Sequence, residues 1–532
     1  MCRFPPAFLV VGLLLAVRLC GAAESPPPEA PPAEAPPAPP APPAPPAPPG
    51  PGTDSAALRT DIERILAEAD LGKTVVAVHV VAVPAPGAGG DPEVLYSVRA
   101  ADPLIPASTM KLVTTAACLD RLGPDWRIRT LVGRIPAAGK NDPCDLGVIG
   151  GGDPNFSGRF WNGDTVGAMR RWAEILKSRG VKAVGRLILD DSLFDAAFVH
   201  PSWPAGQRGE WYEAPVSALG LNDNCVDVHV APGAAGQPAR VWIDPAGAGV
   251  AVEGEILTVP DRKQHRFALE RVADRVAPAG IRIRASGRCW TGAAESAESR
   301  TVVDPTMFFG AALADTLRAG GIAVAGPVVR GCLVGPDGGP RREFTCDLVH
   351  ASPLLATVTI ANKRSQGFYA ESLMKILGAF GPTPRSRAAV PRQGTWINGA
   401  EEVRRWLADR GIRTGGCLID DGSGLSKENR LTAACVTQVL AVMYGLYGET
   451  FVETLSVAGD DGSLRKRMRS TAAEGRVFGK TGYVAGVSAL SGYIRARSGR
   501  TIAFSILMND IGGNLWKARL AQDKICVRLV DG

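Results

Sequence analysis

A serine and a lysine three residues apart form the first group in this chain that could do chemistry. Ser108 follows Pro106 and precedes Lys111 and an apolar run, a pattern typical of a helix N-terminus. On a helix this spacing puts the Lys111 ammonium beside the Ser108 hydroxyl. A lysine can take the proton of a serine nucleophile when burial or a second cation lowers its pKa. The N–H groups of the helix N-terminus would stabilise a developing oxyanion.

The same four-residue spacing occurs twice more, at Ser372–Lys375 and at Ser463–Lys466. At most one of the three pairs is expected to be catalytic, because a match this short has a high false-positive rate. The helical periodicity of residues 368–377 puts Ser372 in the middle of a helix, which disfavours it as an accessible nucleophile.

A second candidate motif, Lys480-Thr481-Gly482, occurs once and stands at the start of a strand-like run. If it lies beside Ser108, Lys480 would be the second cation that lowers the pKa of Lys111, and it would attract a substrate carboxylate. The Thr481 hydroxyl could hydrogen-bond that carboxylate. Gly482 would allow a substrate backbone to lie against the strand edge. The sequence therefore predicts one cleft built from residues hundreds of positions apart.

The N-terminal residues have the layout of a cleaved export signal. Arg3 precedes an apolar stretch over residues 8–17 and then small residues up to Ala23, which predicts a signal peptide over residues 1–23. Cys20 leaves a lipoprotein open, and an uncleaved anchor is a further alternative. Residues 24–53 are rich in Pro and Ala and predict a semi-rigid spacer. We expect a periplasmic or otherwise extracytoplasmic protein with no stable membrane span after cleavage.

Charge and cysteine usage exclude several functions. The net charge of the 532-residue chain is +6, or +4 without Arg3 and Arg18, too mild to indicate nucleic-acid binding. Of eleven cysteines, nine remain once Cys2 and Cys20 leave with the signal, and this odd number leaves at least one thiol without an internal partner. The pairing stays open. No closely spaced cysteines occur and there are five histidines, so we expect no metal site and no cofactor.

Strand and helix patterns divide the remaining chain into an α+β framework and an inserted segment. Strand-like runs near both ends of the chain, with helices between, predict an antiparallel sheet whose first and last parts pair. Short strand-like runs alternate with turns to about residue 340, which predicts a β-rich insertion. The framework is predicted to contain strands over residues 74–83, 94–98, 491–495 and 501–507, helices over 354–362 and 368–377 with a stop at Gly378, and a weak helix over 515–529.

Ser108-x-x-Lys111, Ser365-x-Gly367 and Lys480-Thr481-Gly482 together resemble the motifs of the active-site serine penicillin-recognising enzymes. The closer resemblance is to class C low-molecular-mass penicillin-binding proteins, which are D-alanyl-D-alanine carboxypeptidase/endopeptidases. That family has a large insertion between its first two motifs. In this chain roughly 250 residues separate Lys111 from Ser365, enough for such an insertion. Further stretches that resemble the family occur at residues 150–154, 214–219, 421–426 and 457–464. The last of these makes Ser463 part of a turn.

The resemblance implies a penicillin-binding/β-lactamase-like fold, an antiparallel sheet flanked by helices. The catalytic domain would be split between residues 54–125 and 341–532. The β-rich insertion would span residues 126–340 and consist of two subdomains.

The implied reaction is hydrolysis of D-alanyl-D-alanine or of a D-amino-acid cross-link in peptidoglycan stem peptides. Ser108 would attack the carbonyl with Lys111 as base, and Ser365 would relay a proton to the leaving amine. Lys480 and Thr481 would hold the terminal carboxylate, and β-lactam antibiotics would be covalent inhibitors. Whether free or cross-linked peptide is preferred stays open.

Two positions depart from the family pattern. Gly367 stands where the family has asparagine, whose amide orients the lysine and the substrate. Tyr483 follows Gly482 where the family has a second small hydroxyl residue, Ser or Thr. The backbone N–H of Tyr483 can still join that of Ser108 as an oxyanion donor. Loss of the amide predicts a rate lower by about a hundredfold. A weakened homologue that binds cell-wall peptide as a scaffold or regulator is therefore an alternative, and a β-lactamase or esterase is a third.

Overall fold

The computed structural model describes residues 55–137, 139, 142–381 and 392–531. The predicted signal peptide and spacer lie outside the described residues. The chain forms two compact units. One, here called the insertion unit, comprises Asp125–Thr357 and Gly367–Gly399. The other, called the serine unit, comprises the described residues up to Pro124, Val358–Gln366, and those from Ala400 onward.

The helices and strands alternate irregularly along the chain. The helices are α1 (Ser55–Glu68), α2 (Met110–Leu122), α3 (Gly167–Ser178), α4 (Pro305–Ala319), α5 (Leu354–Lys363), α6 (Gly367–Phe380), α7 (Trp396–Asp409), α8 (Ala433–Tyr447), α9 (Glu449–Val452) and α10 (Leu515–Asp531). The strands are β1 (Val75–Val83), β2 (Glu93–Val98), β3 (Arg127–Ile135), β4 (Asp145–Ile149), β5 (Ala183–Val184), β6 (Leu187–Asp190), β7 (Cys225–Ala231), β8 (Arg240–Asp244), β9 (Val252–Val259), β10 (Arg266–Ala273), β11 (Ile281–Trp290), β12 (Ser296–Thr301), β13 (Ala323–Val324), β14 (Val328–Arg330), β15 (Thr345–Pro353), β16 (Ser456–Val457), β17 (Val477–Val484), β18 (Val487–Arg495) and β19 (Thr501–Asn509).

The serine unit is built on an antiparallel sheet in the order β16-β17-β18-β19-β1-β2. Strand β1 pairs with β19 over its whole length, from Val75 opposite Asn509 to Val83 opposite Thr501. The predicted pairing of the first and last parts of the chain is therefore confirmed, as is the α+β class.

Alternation along β1 explains why helices cover both faces of this sheet. Val78 and Val80 join a buried cluster that includes side chains of α1 and α10. Ala77 points the other way and packs in a second cluster with Ala433 of α8. His79, on the same face as Ala77, has its Nδ1 2.6 Å from Thr437 Oγ1 of α8. His79 is therefore a strand-face residue packed against α8.

The insertion unit contains a five-stranded sheet in the order β14-β6-β4-β3-β15 and two three-stranded sheets, β10-β11-β9 and β12-β7-β8. Side chains from these sheets share one buried cluster with α3 and α4. Neither helix was predicted, because the short apolar runs around them suggested only strands. For α4 the signal was present: Asp304 caps its first turn by accepting from Met307 N, and Pro305 is its first residue.

The boundary of the insertion unit differs from the predicted 126–340. Strand β15 pairs with β3, so residues beyond 340 belong to the insertion sheet. Gly378 was predicted to end a helix, and this prediction is wrong because α6 continues to Phe380. A side chain at Gly378 would lie 2.7 Å from the backbone nitrogen of Gly399, so glycine here permits close approach of two backbones.

Candidate active site

Ser108 lies in a single 3-10 turn, Ala107–Thr109, that leads into α2. Ala107 has a φ of 46°, in the left-handed region that is costly for a residue with a Cβ. The Thr109 hydroxyl donates to the Pro106 carbonyl at 2.6 Å and fixes the turn. The helix start was predicted correctly, but the serine does not cap it, since neither this turn nor α2 has a side-chain cap hydrogen bond. The half-buried Ser108 hydroxyl is left to face its neighbours in the site.

The predicted contact between Lys111 and Ser108 is present. The buried Lys111 Nζ donates to Ser108 Oγ at 3.1 Å and to the carbonyl oxygen of Ser423 at 2.8 Å. The bond to Ser423 was not predicted, because any residue can supply a backbone carbonyl and its sequence carries no mark of it. This second bond fixes the lysine nitrogen beside the serine.

The loop that supplies the Ser423 carbonyl is itself rigidly held. The Asp421 carboxylate accepts from Gly424 N and Ser426 N, both at 2.7 Å. Gly424 has a φ of 79°, and a side chain there would overlap the Ala107 carbonyl oxygen. Only glycine lets this loop lie against the turn that carries Ser108.

Ser365 and Lys480 form the second predicted contact. Ser365 follows α5 with a left-handed φ of 56°. Its Oγ accepts a hydrogen bond from Lys480 Nζ at 2.7 Å, and the same nitrogen donates to the Thr481 carbonyl at 2.7 Å. Lys480 is fully buried in β17, and burial, followed by the positive charge of Lys111, lowers the pKa of Lys480 well below its usual range. The two lysines therefore act on each other electrostatically.

Gly482 sets the distance between β17 and the turn that carries Ser108. A Cβ at Gly482 would lie 2.9 Å from the Pro106 carbonyl oxygen, closer than a side chain tolerates, and 3.2 Å from Ser108 N. Among the described residues, β16 covers the outer edge of β17 only opposite Phe478 and Gly479. The rest of that edge has no neighbouring strand in the described part of the chain, so an extended peptide could pair there.

The side chains of Thr481 and Tyr483, which alternate with Lys480 and Gly482 along β17, lie closer to solvent than those two residues. The Thr481 hydroxyl donates to Ser463 Oγ at 2.9 Å. Tyr483 is 52% exposed, and the Arg519 guanidinium lies 5.7 Å from the centroid of its ring. The structure thus joins Ser108 with Lys111 and Ser365 with Lys480 and sets Gly482 against the turn that carries Ser108. Thr481 and Tyr483 contact Ser463 and Arg519, which were not predicted as site residues.

The other two Ser-x-x-Lys pairs are arranged differently. In the insertion unit, Lys375 Nζ donates to Asp195 Oδ1 at 2.6 Å, while Ser372 Oγ is buried with no partner among the described residues. Ser463 lies in a short 3-10 turn and Lys466 is exposed. Neither pair has the serine–lysine contact of Ser108.

Three further observations concern the described residues as a whole. No group of three or more His, Cys, Asp or Glu side chains in the described part of the chain is placed to hold a metal ion. The free thiols among the described residues include Cys144, Cys225, Cys289, Cys332, Cys417, Cys435 and Cys526. Among the described helices, none is long and apolar enough to cross a membrane.

Known proteins resemble this chain over most of its length. Residues 58–528 match the D-Ala-D-Ala carboxypeptidase 3 (S13) family. A D-alanyl-D-alanine carboxypeptidase of Actinomadura sp. (strain R39) is 34% identical over 497 residues, covering 90% of this chain and 86% of that protein. The D-alanyl-D-alanine carboxypeptidase DacB of Haemophilus influenzae is 24% identical over 418 residues, covering 76% of this chain and 80% of that protein.

The fold is shared with a solved structure. The crystal structure of penicillin binding protein 4 (dacB) from Haemophilus influenzae superposes with a TM-score of 0.69 at 22% identity, covering 89% of this chain and 98% of that one. With the family match, the 34% identical relative and this shared architecture, the chain belongs to the D-Ala-D-Ala carboxypeptidase 3 (S13) family of penicillin-binding serine peptidases.

Proposed function

We propose that this chain performs the D-Ala-D-Ala carboxypeptidase/endopeptidase reaction of its family on peptidoglycan stem peptides with Ser108 as nucleophile. The observation that carries the assignment is the pair of contacts in one site: Lys111 with Ser108 at 3.1 Å and Lys480 with Ser365 at 2.7 Å. Residues from three distant parts of the sequence supply one nucleophile, two amines and a second hydroxyl.

In the first step Ser108 Oγ attacks the carbonyl carbon of the penultimate D-alanine while Lys111 Nζ accepts the hydroxyl proton. The bond to the Ser423 carbonyl supports this role, because it holds the amine in place without supplying a negative charge that would stabilise its protonated form. The developing oxyanion accepts hydrogen bonds from the backbone N–H groups of Ser108 and Tyr483. The close approach of Gly482 to Ser108 supports this pairing.

In the second step the carbon–nitrogen bond breaks and the leaving amine takes a proton relayed through Ser365. The left-handed backbone of Ser365 and its contact with Lys480 support this role, since both fix the direction of its hydroxyl. Water then attacks the ester on Ser108 and releases the shortened peptide. Lys480 and Thr481 hold the terminal carboxylate of the substrate before the bond breaks.

We also propose that β-lactams acylate Ser108 and that the enzyme works outside the cytoplasm. The strained amide of a β-lactam carries a carboxylate next to the bond that breaks, so the same groups can bind it. The proposed location rests on the export-signal pattern of residues 1–23 and the spacer over residues 24–53.

Mass spectrometry of the protein after incubation with penicillin tests the nucleophile. The wild type is expected to gain the mass of one penicillin on the peptide that contains Ser108, and a folded Ser108→Ala variant is expected to gain none. Ser372→Ala is the matched control, because Ser372 stands in the same tetrad without a lysine contact, and it should label like the wild type. An adduct on Ser108→Ala, or no adduct on the folded wild type, would overturn the proposal.

A further inference from the structure

A chain of three hydroxyl groups leads away from Thr481. The Thr481 hydroxyl donates to Ser463 Oγ at 2.9 Å, and Ser463 Oγ lies 3.2 Å from Ser456 Oγ. Ser456 Oγ donates its only hydrogen to the Lys363 carbonyl at 3.1 Å. Ser463 must therefore donate to Ser456, and the chain runs in one direction from the site to the end of α5.

The turn that carries Ser463 is built to hold it there. Asp461 forms an ion pair with Lys363 at 2.5 Å and accepts from Val457 N at 2.7 Å. Ser463 N donates to Ser456 Oγ at 3.1 Å. Both sides of the turn are thus tied down next to α5.

A glycine makes this packing possible. Gly462 has a φ of 54°, and a side chain there would overlap Ser456 Oγ and lie 2.6 Å from the Lys363 carbonyl oxygen. Ser463 itself is exposed, so a ligand can reach its hydroxyl.

We propose that Ser463 is a specificity-determining residue that, with Thr481, binds the C-terminal carboxylate of the peptide substrate. This inference rests on the proposed function, in which Thr481 faces that carboxylate. A carboxylate accepts hydrogen bonds and donates none, so the Thr481 hydrogen must turn from Ser463 to the anion when substrate binds. Ser463 then turns its own hydrogen from Ser456 to the carboxylate or to Thr481 Oγ. Either arrangement adds a second hydroxyl to the recognition of the charge.

The proposal accounts for the departure at Tyr483. Tyr483 shares the face of β17 that carries Thr481, and its phenol stands where the family has a small hydroxyl side chain. Ser463 supplies a small hydroxyl from another part of the chain at 2.9 Å from Thr481. The carboxylate therefore still meets two hydroxyl groups.

The test compares two peptides ending in D-Ala-D-Ala, one with a free carboxylate and one with a C-terminal carboxamide. For Ser463→Ala we expect kcat/KM to fall about tenfold on the free carboxylate, because one hydrogen bond to a charged group is lost, and to change less than about twofold on the carboxamide. Ser463→Thr keeps the hydroxyl and should restore most of the loss. Ser372→Ala is the control and should behave as wild type on both peptides.

A second measurement separates recognition from folding. The D-alanine that leaves takes the carboxylate with it, so deacylation of the peptide acyl-enzyme should be unchanged in Ser463→Ala. An equal loss on both peptides, a slower deacylation, or no loss on either would overturn the role of Ser463 while leaving Ser108 as nucleophile intact. If the wild type forms no acyl-enzyme on Ser108, the proposed function and this inference fail together.

Discussion

The two units each contain a serine and a lysine in the same spacing, and the two pairs differ in what the lysine binds. In the serine unit Lys111 donates to Ser108 and to a neutral carbonyl. In the insertion unit Lys375 donates to the carboxylate of Asp195 and to the Ala197 carbonyl, and its ammonium lies 3.8 Å from the centroid of the Trp396 ring.

The difference shows that the spacing alone does not define the chemistry. Burial lowers the pKa of Lys375, but the hydrogen bond to Asp195 opposes that shift because it stabilises the ammonium. That lysine serves as a structural cation, and Ser372 Oγ has no hydrogen-bond partner among the described residues. A base for a nucleophile needs a neighbour that fixes its position without holding its proton.

The largest difference is expected between the alanine variants of the two serines. Ser108→Ala should lower kcat/KM for release of D-alanine by about 10⁴-fold or more, because nucleophile, base and acyl-enzyme act as one unit. Ser372→Ala should stay within about twofold of wild type. Continuous assay of free D-alanine measures both, and a comparable loss in the two variants would contradict the distinction between the two pairs.

Removing the two lysines should separate catalysis from stability. Lys111→Met is expected to slow acylation by penicillin about 10³-fold, the size of a lost general base. Lys375→Met should leave acylation of the folded protein near wild type but destabilise it by roughly 2–4 kcal/mol, since Asp195 loses its partner. Acylation rates and denaturant unfolding measure the two effects. The distinction fails if Lys375→Met acylates slowly while fully folded.

The lowered pKa of Lys480 predicts a stability that depends on pH. The folded protein binds this proton less tightly than the unfolded chain, whose lysine has a pKa near 10.5. Stability should therefore rise with pH in the window between the lowered pKa and 10.5, by at most about 1.4 kcal/mol per pH unit.

The Lys480→Met variant isolates this contribution. Unfolding free energies at several pH values from 7 to 10 should show the wild type gaining stability relative to Lys480→Met. Parallel curves for the two proteins, or a gain by the variant, would be inconsistent with the lowered pKa.

The smallest effect is expected at Gly367, the first residue of α6, where the family has asparagine. Gly367→Asn should leave penicillin acylation unchanged or raise it by up to about tenfold, because it restores an amide donor beside the second motif. A large fall in a folded variant would mean that glycine has its own role at this position. The comparison with wild type uses the same acylation assay as the lysine variants.

The sequence predicts the contacts that depend on side-chain type and local spacing. The pair Ser108–Lys111 is readable from a helical period of 3.6 residues, and the pairing of β1 with β19 from apolar strand patterns at the two ends of the chain. Lys480, the lysine of the last motif, was predictable as a hydrogen-bond donor in the site because an ammonium group donates and does not accept.

Other features of the site could not be predicted, because they depend on the backbone or on the tertiary fold and not on which side chain stands at a position. The Ser423 carbonyl binds Lys111 through the backbone, which every residue has. Ser463 was predicted as part of a turn, and it is, but only the fold brings its hydroxyl to Thr481. A glycine near the end of a helical pattern commonly marks the helix end. Gly378 does not, and its lack of a side chain is explained by close packing against the backbone of Gly399.

The sheet order determines the stage of protein synthesis at which this site can form. Val75 of β1, which precedes the nucleophile, pairs with Asn509 of β19, so the central strands cannot pair until the chain has been synthesised as far as β19. A chain that stops before β19, whether still on the ribosome or prematurely terminated, therefore lacks a working serine. The hydrolase is thus inert until β19 has been synthesised.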